Sequence, residues 1–247
     1  MLAILKKEIS GFFSSLTGYI VIIFFLLINS MFMWVFPGEW NIFDRGYAGL
    51  DTLFFISPWV FLFLVPAVTM RMIAEEKRLG TIELIYSKPV SERDIVYGKY
   101  IASISLVLLS LIPGIVYYLS VYNLGEIAGN LDKGGTLGAF IGLFFLGSVY
   151  SSSGLLASSL TENQAVAFIT SAVACFFLFM GLDSIAYLPG LKEIDEFVIR
   201  LGINEHYKSM SRGVIDIKDI AYFLALIMII NEITVYKLKS QRWIGRN

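Results

Sequence analysis

Serine and aspartate residues in the apolar parts of the chain are the first candidates for catalysis. A serine-rich stretch, SVYSSSGLLASS, covers residues 148–159, and Asp183 lies in the sequence MGLDS. These residue types would suit a protease that cleaves inside a membrane. The chain lacks the G-x-S-x-G pattern of a nucleophilic serine, its one histidine, His206, falls in a predicted outer loop, and Asp183 has no matched second aspartate. We therefore predict no catalytic residues.

Sites for ATP and for metal ions are not found in the sequence either. No G-x-x-x-x-G-K-S/T motif occurs, and the nearest stretch, GNLDKGGT at 129–136, lacks the Gly-Lys pair in that order. One histidine, one cysteine and no clustered acids within the apolar runs argue against a metal site. Cys175 cannot form an internal disulfide and is expected to be a small buried hydrophobic residue. We expect this chain to bind no cofactor.

Two polar residues within the apolar runs are candidates for a function other than catalysis. Glu232 lies close to the end of the last run, and an intramembrane carboxylate is costly enough to suggest a function. Glu232 can instead be structural, paired with Lys237 or Lys99. Asn29 is open to the same two interpretations, because its amide can hydrogen-bond across a subunit interface.

The composition indicates a membrane protein. Of the 247 residues, 57% are hydrophobic and 16% are charged, whereas a soluble domain carries about 25% charged residues. The mean hydropathy is +0.73. A formal net charge of −1 does not favour a nucleic-acid partner. We predict a single membrane domain over residues 1–247, embedded in a lipid bilayer.

Six apolar runs are long enough to cross a bilayer as helices. Such long continuous runs favour helices over the short alternating strands of a membrane barrel, so we predict an all-α, polytopic fold with six transmembrane helices. The runs cover residues 17–36, 53–73, 100–121, 137–158, 164–186 and 219–237.

Residues 1–15 predict an amphipathic helix that lies in the membrane interface ahead of the first span. The helical spacing places apolar residues on one face and charged residues on another. The apolar face holds Leu2, Leu5, Ile9, Phe12 and Phe13, and the charged face holds Lys6, Lys7 and Glu8.

The distribution of lysine and arginine predicts the orientation in the membrane. With both termini in the cytoplasm, most basic residues lie on the inner side, and the first two outer loops hold only Arg45 and Lys133. Residues 189–218 depart from this pattern, although acidic residues offset their basic ones. We predict a multi-pass protein with both termini cytoplasmic.

Residues 74–99 form a charged cytoplasmic loop between the second and third apolar runs. Glu75 and Glu76 extend the second span beyond the membrane, where water can solvate them, and Gly80 is suited to end that helix. Thr81 can cap a short helix, TIELIYS.

The rest of this loop ends the short helix and begins the third span. Pro89 prevents the short helix from continuing, and Ser91 with Asp94 resembles a capping box. The apolar residues of the short helix either pack on the membrane interface and other loops or bind a cytosolic partner. These residues are Ile82, Leu84, Ile85 and Tyr86.

The loop residues resemble those of type-2 ABC exporter permeases. The resemblance rests on a glutamate-rich helix end, a Gly-Thr pair, a short helix, a proline and a Gly-Lys pair at the start of the third span. The matching residues are Glu75, Glu76, Gly80, Thr81, Glu83, Pro89, Gly98 and Lys99. The start of the chain (ILKKEISGFFSSLTGYIVI), the segment SPWVFLFLVPAVTMR and the tail KLKSQRW further resemble the gliding-motility-associated permeases.

The resemblance implies half of an exporter in a bacterial cytoplasmic membrane. Two permease subunits, identical or different, would pair above two cytosolic ABC ATPases that use ATP and Mg²⁺. Residues 81–87 would be the coupling helix, and Ile82 and Ile85 would contact the ATPase together with the matching residues named above.

Residues 189–216 mix apolar and charged residues at helical spacing, which predicts short amphipathic helices at the outer interface. By resemblance this segment would be an outer gate, with Asp183 and Phe197 as its candidate residues.

Two other functions remain compatible with the sequence. The chain can be a membrane anchor for a surface machine without transport of its own. A secondary transporter driven by an ion gradient would require several intramembrane ionisable residues and repeat symmetry, and the chain offers mainly Glu232.

Overall fold

The computed structural model describes residues 1–125, 131–186 and 199–244, and within these ranges the ordered elements are helices without a β-strand. The all-α prediction is therefore confirmed. The α-helices are α1 (Leu2–Ser14), α2 (Thr17–Ser30), α3 (Ile42–Arg45), α4 (Asp51–Arg78), α5 (Thr81–Tyr86), α6 (Glu92–Leu111), α7 (Ile115–Leu124), α8 (Lys133–Leu160), α9 (Gln164–Phe176), α10 (Leu182–Ala186), α11 (Ile203–Ser211) and α12 (Ile217–Ile244).

Six helical segments are long and apolar enough to cross a membrane, as predicted. A π-helical turn extends α2, a 3₁₀ turn at Ile112–Gly114 joins α6 to α7, and a second π-helical turn joins α9 to α10. The spans are Thr17–Val35, Asp51–Arg78, Glu92–Leu124, Lys133–Leu160, Gln164–Ile185 and Ile217–Arg242. Several of them are longer than the apolar runs because their helices continue into charged residues.

The core of the fold lies around α8 and α4, which are the most buried spans. Helix α8 packs against α4, α6, α9, α11 and α12. Small residues along α8 allow these close contacts, as expected for helices packed within lipid. A Cβ atom at Gly138 would lie only 2.2 Å from the carbonyl oxygen of Met210, so α11 can approach α8 only where a side chain is absent.

Helices α2 and α9 lie at the periphery and expose large apolar side chains. On α2 these include Ile20 and Ile23, and on α9 they include Ile169 and Val173, which are each between 56% and 62% exposed. In a bilayer such surfaces contact lipid tails or another apolar helix surface.

Of the two interpretations of Asn29, its environment within the chain supports the structural one. Its side chain is fully buried within the chain. The amide nitrogen donates to the carbonyl oxygen of Phe25 at 2.8 Å, and the amide oxygen accepts from the hydroxyl of Ser57 at 3.2 Å. Asn29 therefore joins the first and second spans, and its role in the described fold is structural.

Helix α1 forms as predicted, and four of the five residues of its predicted apolar face pack on the core: Leu5, Ile9, Phe12 and Phe13. Ile4 also packs there, whereas Leu2 is 77% exposed. Glu8 lies on the packed face and is mostly buried, with its side chain 13% exposed. The assignment of Glu8 to a charged outer face is wrong because Glu8 has buried partners, described next.

Candidate functional site

The predicted end of the second span at Gly80 is confirmed by the backbone. Gly80 has a φ of +69°, a left-handed conformation that glycine adopts without a steric penalty. The backbone amide of Leu79 donates to the carbonyl oxygen of Glu75 at 2.9 Å, and the amide of Gly80 donates to the carbonyl oxygen of Lys77 at 3.0 Å. The chain turns sharply here, and α5 begins at once.

Thr81 does not cap α5, contrary to the prediction. Gly80 occupies the cap position, and Thr81 is the first residue of the helix. The Thr81 hydroxyl instead donates to the carbonyl oxygen of Glu76 at 3.3 Å. Thr81 therefore ties α5 to the end of α4.

The end of α5 and the start of the third span follow the prediction. Helix α5 ends at Tyr86, ahead of Pro89. The Ser91 hydroxyl accepts from the amide of Asp94 at 3.1 Å, and the Asp94 carboxylate accepts from the amide of Ser91 at 3.3 Å. This reciprocal pair is the predicted capping box.

The apolar residues of α5 divide between a buried face and an exposed face. Ile82 is only 8% exposed and belongs to the core, and Ile85 and Tyr86 are partly buried against it. Leu84 is 66% exposed, and Leu79, just before the helix, is 61% exposed. The expectation that Ile82 faces a partner is wrong, because Ile82 anchors α5 to its own chain.

Beneath α5 lies a cluster of four charged residues that we call the basal ion cluster: Lys7, Glu8, Glu76 and Lys99. The Lys99 ammonium is fully buried and lies 2.7 Å from a carboxylate oxygen of Glu8 and 2.9 Å from one of Glu76. Lys99 also donates to the carbonyl oxygen of Met72 at 2.6 Å. Lys7 pairs with the other carboxylate oxygen of Glu76. The prediction that water solvates Glu76 is therefore wrong.

The basal ion cluster joins three helices at the α5 end of the bundle. Lys7 and Glu8 come from α1, Glu76 from the end of α4, and Lys99 from the start of the third span. Burial lowers the pKa of Lys7, but its hydrogen bond to Glu76 and the nearby carboxylates outweigh burial and raise that pKa overall. A buried lysine without such partners would be strongly unfavourable.

Sequence reasoning did not find this cluster, although one feature indicates it. Glu8 lies four residues after Ile4 and four before Phe12, so it falls on the apolar stripe of α1. A carboxylate at such a position requires a buried partner of opposite charge.

Arg242 of the last span holds α5 from its other side. Its guanidinium donates to the carboxylate of Glu92 at 2.8 Å and to the carbonyl oxygen of Tyr86 at 2.9 Å. The guanidinium carbon also lies 5.3 Å from the centre of the Tyr86 ring, within cation–π range. Burial, with the charge of Glu92 as a further cause, raises the pKa of Tyr86 to about 12.

A groove of about 610 Å³ runs between α5 and the end of the last span. It is lined by Glu83 of α5, by Lys77, by Glu162 and by Gln241 and Arg242. The exposed face of α5 and this groove together form a surface with both apolar and charged groups.

Glu232 has partners other than those predicted. Its carboxylate lies 3.0 Å from the guanidinium of Arg93 and accepts from the hydroxyl of Tyr97 at 3.2 Å. The Glu232 side chain is 44% exposed and that of Arg93 is 70% exposed. The structural interpretation of Glu232 is supported, but the pairing with Lys237 or Lys99 is wrong, because α6 presents Arg93 to it.

At the opposite end of the bundle, α11 carries the described part of the predicted gate segment. Helix α11 is amphipathic, and its buried face packs on α8. Asp183 accepts from the amide nitrogen of Asn204 at 2.6 Å and lies 3.9 Å from the Lys208 ammonium. The buried Tyr207 hydroxyl donates to the carbonyl of Phe54 at 2.6 Å. Phe197, the other predicted gate residue, lies outside the described residues.

Aromatic residues form a cavity of about 510 Å³ beside α11. Trp40, Phe55 and Trp59 line it together with the cationic residues Arg45 and Lys208. Nearby, His206 lies 2.7 Å from the carboxylate of Asp219 at the start of the last span, which joins α11 to that span.

The described ranges contain no group of three or more His, Cys, Asp or Glu side chains that is arranged to hold a metal ion. Several charged residues at the α5 end occur instead in ion pairs that join helices. Their arrangement fits a mechanical connection between helices.

Comparison with protein families identifies this architecture. A family model described as ABC-2 family transporter protein matches residues 43–202, which is well over half of the chain. A search of curated proteins finds no match. The matched region begins within α3, includes α5 and ends at residue 202, just before α11. The chain is a multi-pass membrane protein that belongs to the ABC-2 transporter family, and it is a permease component of an ABC transporter rather than a catalytic subunit.

Proposed function

We propose that this permease couples ATP hydrolysis by a separate cytosolic ABC ATPase to export across a bacterial cytoplasmic membrane. The observation that carries the proposal is α5, a six-residue helix just beyond the second span that exposes Leu84 beside Leu79 and Glu83. Its other face is fixed to the chain by Ile82. Exposed apolar residues on a rigid element are suited to be anchors of a protein interface.

Side-chain contacts connect α5 to the second, third and last spans, so a force on α5 would be transmitted to all three. Thr81 bonds α5 to the end of the second span. Arg242 connects α5 to the last span and to Glu92 at the start of the third. The basal ion cluster fixes the second span to the third and to α1. ATP-driven closure of the ATPases would therefore tilt these helices together, while ATP and Mg²⁺ are bound by the ATPase.

A second permease subunit, identical or different, completes the proposed transporter. The apolar surfaces of α2 and α9 are suited to contact it, because they are large and poorly covered within one chain. The excess of basic residues at the α5 end supports cytoplasmic termini. The resemblance of the first span and the tail to gliding-motility-associated permeases supports a role of this transporter in gliding motility.

Charge placed on the exposed face of α5 tests the docking proposal. The double variant Leu79→Asp and Leu84→Asp should insert and fold normally, since both side chains are exposed, but lose the ABC ATPase that co-purifies with the wild type. Burying two carboxylates in an interface would cost several kcal/mol, enough to separate the subunits. Pull-down of the ATPase and ATP turnover by the purified complex measure the result.

Two controls separate docking from misfolding. Ser240→Asp adds charge at an exposed position near the end of the last span and should retain the ATPase. Ile82→Asp should lower the melting temperature, because it places a charge in the core. Full ATPase binding and normal turnover by the Leu79/Leu84 variant would refute docking through this exposed surface and remove the mechanical support for the proposed function.

A further inference from the structure

A long apolar groove lies on the membrane-facing side of the third and fourth spans. It has a volume of about 590 Å³. Leu108, Ile112 and Ile115 form one wall, and Leu137, Phe140 and Phe144 form the other. Neither the coupling surface at α5 nor the cavity beside α11 includes these residues.

The groove exists because the third span changes its helical geometry. Pro113 lies in the 3₁₀ turn that joins α6 to α7, and Ile112 at the start of this turn and Ile115 just after it are 49% and 50% exposed. A Cβ atom at Gly114 would lie 3.3 Å from the ring of Phe140, so the missing side chain lets this ring close the floor of the groove. The shape is thus built into the two spans.

Polar groups occur at one end of the groove only. Lys133, the first residue of α8, and Thr136 line the end where the third span finishes and the fourth begins. Tyr118 contributes its ring at the same end. Lys133 is exposed and has no ion-pair partner within the described ranges. Because the side chain is exposed, a negatively charged group from outside the chain can reach it.

The length of the groove matches half of a bilayer. From Lys133 to Phe144 the helix advances eleven residues, or about 16 Å at 1.5 Å per residue. The hydrocarbon core of a bilayer is about 30 Å thick, so one leaflet contributes about 15 Å. A cation at the headgroup level and an apolar groove one leaflet deep match the two parts of one lipid molecule.

We propose that this groove is a binding site for a single phospholipid, with one acyl chain between the third and fourth spans and the phosphate at Lys133. The acyl chain covers side chains such as Leu108 and Leu137, which are 46% and 58% exposed. The phosphate supplies the counter-charge for the Lys133 ammonium. This lipid would be retained with the protein when bulk lipid is removed.

Native mass spectrometry of the detergent-purified chain tests the site. The probes are phosphatidylglycerol and a diacylglycerol with the same acyl chains. We expect the wild type to retain one phosphatidylglycerol under conditions that remove the others. Leu137→Trp fills the groove and should abolish this retention, whereas Ile169→Trp on the exposed face of α9 should not.

Variants of Lys133 test the contribution of the phosphate. Lys133→Gln should weaken phosphatidylglycerol binding about fivefold, the amount that one cation beside an anionic headgroup supplies, and leave diacylglycerol binding unchanged. Lys133→Arg should bind as the wild type does.

Three results would overturn the proposal. They are equal retention by the wild type and Leu137→Trp, equal binding of phosphatidylglycerol and diacylglycerol to the wild type, and a second copy of the chain cross-linked through the groove in place of lipid. Leu137→Trp is used only if it melts at the same temperature as the wild type. If it melts lower, Ile115→Trp, which fills the groove from the other wall, replaces it in the comparison of phosphatidylglycerol retention with the wild type.

Discussion

Lys99 is the most heavily constrained charged residue that the structure describes, because it is fully buried between two carboxylates from different helices. Removing one partner of a buried ion pair leaves the other charge uncompensated, which is more costly than removing both partners. The four charges of the basal ion cluster sum to zero.

We predict that Lys99→Gln lowers the free energy of unfolding by about 3–5 kcal/mol, because Glu8 and Glu76 are then left with Lys7 alone. The double variant Lys99→Gln with Glu76→Gln should recover part of this loss, since Lys7 and Glu8 remain as a neutral pair 3.6 Å apart. Thermal unfolding in detergent, followed by tryptophan fluorescence, measures both variants.

The exposed pair of Arg93 and Glu232 serves as the control for this prediction. Glu232→Gln should change stability by less than about 1 kcal/mol, because solvent screens a pair in which both side chains are so exposed. If Lys99→Gln and Glu232→Gln lowered the melting temperature equally, the special role of the buried lysine would be disproved.

At the scale of helices, the contact of α11 with α8 depends on the lack of a side chain at Gly138. Because α11 also bonds to Asp183 through Asn204 and to the last span through His206, its position fixes this whole end of the bundle. A small change in α8 therefore affects several elements.

Gly138→Ala should destabilise the protein by about 1–3 kcal/mol, since the added carbon would overlap the carbonyl of Met210. Gly11→Ala is the matched control, because nothing lies within 4 Å of its added carbon and alanine is the better helix former. Melting temperatures of the two variants should move in opposite directions. A stable Gly138→Ala protein would mean that α11 does not pack on α8 as described.

Helix ends and spans could be predicted from sequence, but contacts between distant helices could not. Gly80 and the Ser91–Asp94 pair act within a few residues, so their roles are visible in local sequence. The partner of Glu232 cannot be assigned from local sequence, because the lateral order of the spans decides which cation lies beside it.

The candidate site shows the same division. The existence of α5 was predictable, whereas its buried face, formed by Ile82, depends on how α5 folds back onto the core. Two pairs of the basal ion cluster join residues that are 69 and 91 positions apart, so local patterns alone could not assign them.

At the scale of the whole molecule, the orientation in the membrane is the open prediction. Glu39 and Ser87 lie beyond opposite ends of the second span, and both are exposed. The basic residues are concentrated at the Ser87 end, and this asymmetry predicts that end to be cytoplasmic. Asn41 lies in the same loop as Glu39 but is a poor position for a chemical label that reports the side of the membrane. Its side chain is buried and hydrogen-bonded to the backbone amide of Phe43 and the backbone carbonyl of Phe36.

Cysteine labelling in sealed cells measures this orientation. A membrane-impermeant maleimide should modify Glu39→Cys but not Ser87→Cys or Ser240→Cys until the membrane is opened. The buried Cys175 gives little background. Labelling of Ser87→Cys from outside would reverse the assigned orientation and remove the basis for a cytosolic partner at α5.

The basal ion cluster also has a consequence for biosynthesis. Glu8 leaves the ribosome 91 residues before Lys99, which at translation rates of 5–20 residues per second is a delay of roughly 5–20 s. During that interval Glu8 has no buried partner, and α1 must remain on the membrane surface or in water. Helix α1 therefore reaches its final position only when the third span has entered the bilayer, so its docking follows the insertion of that span.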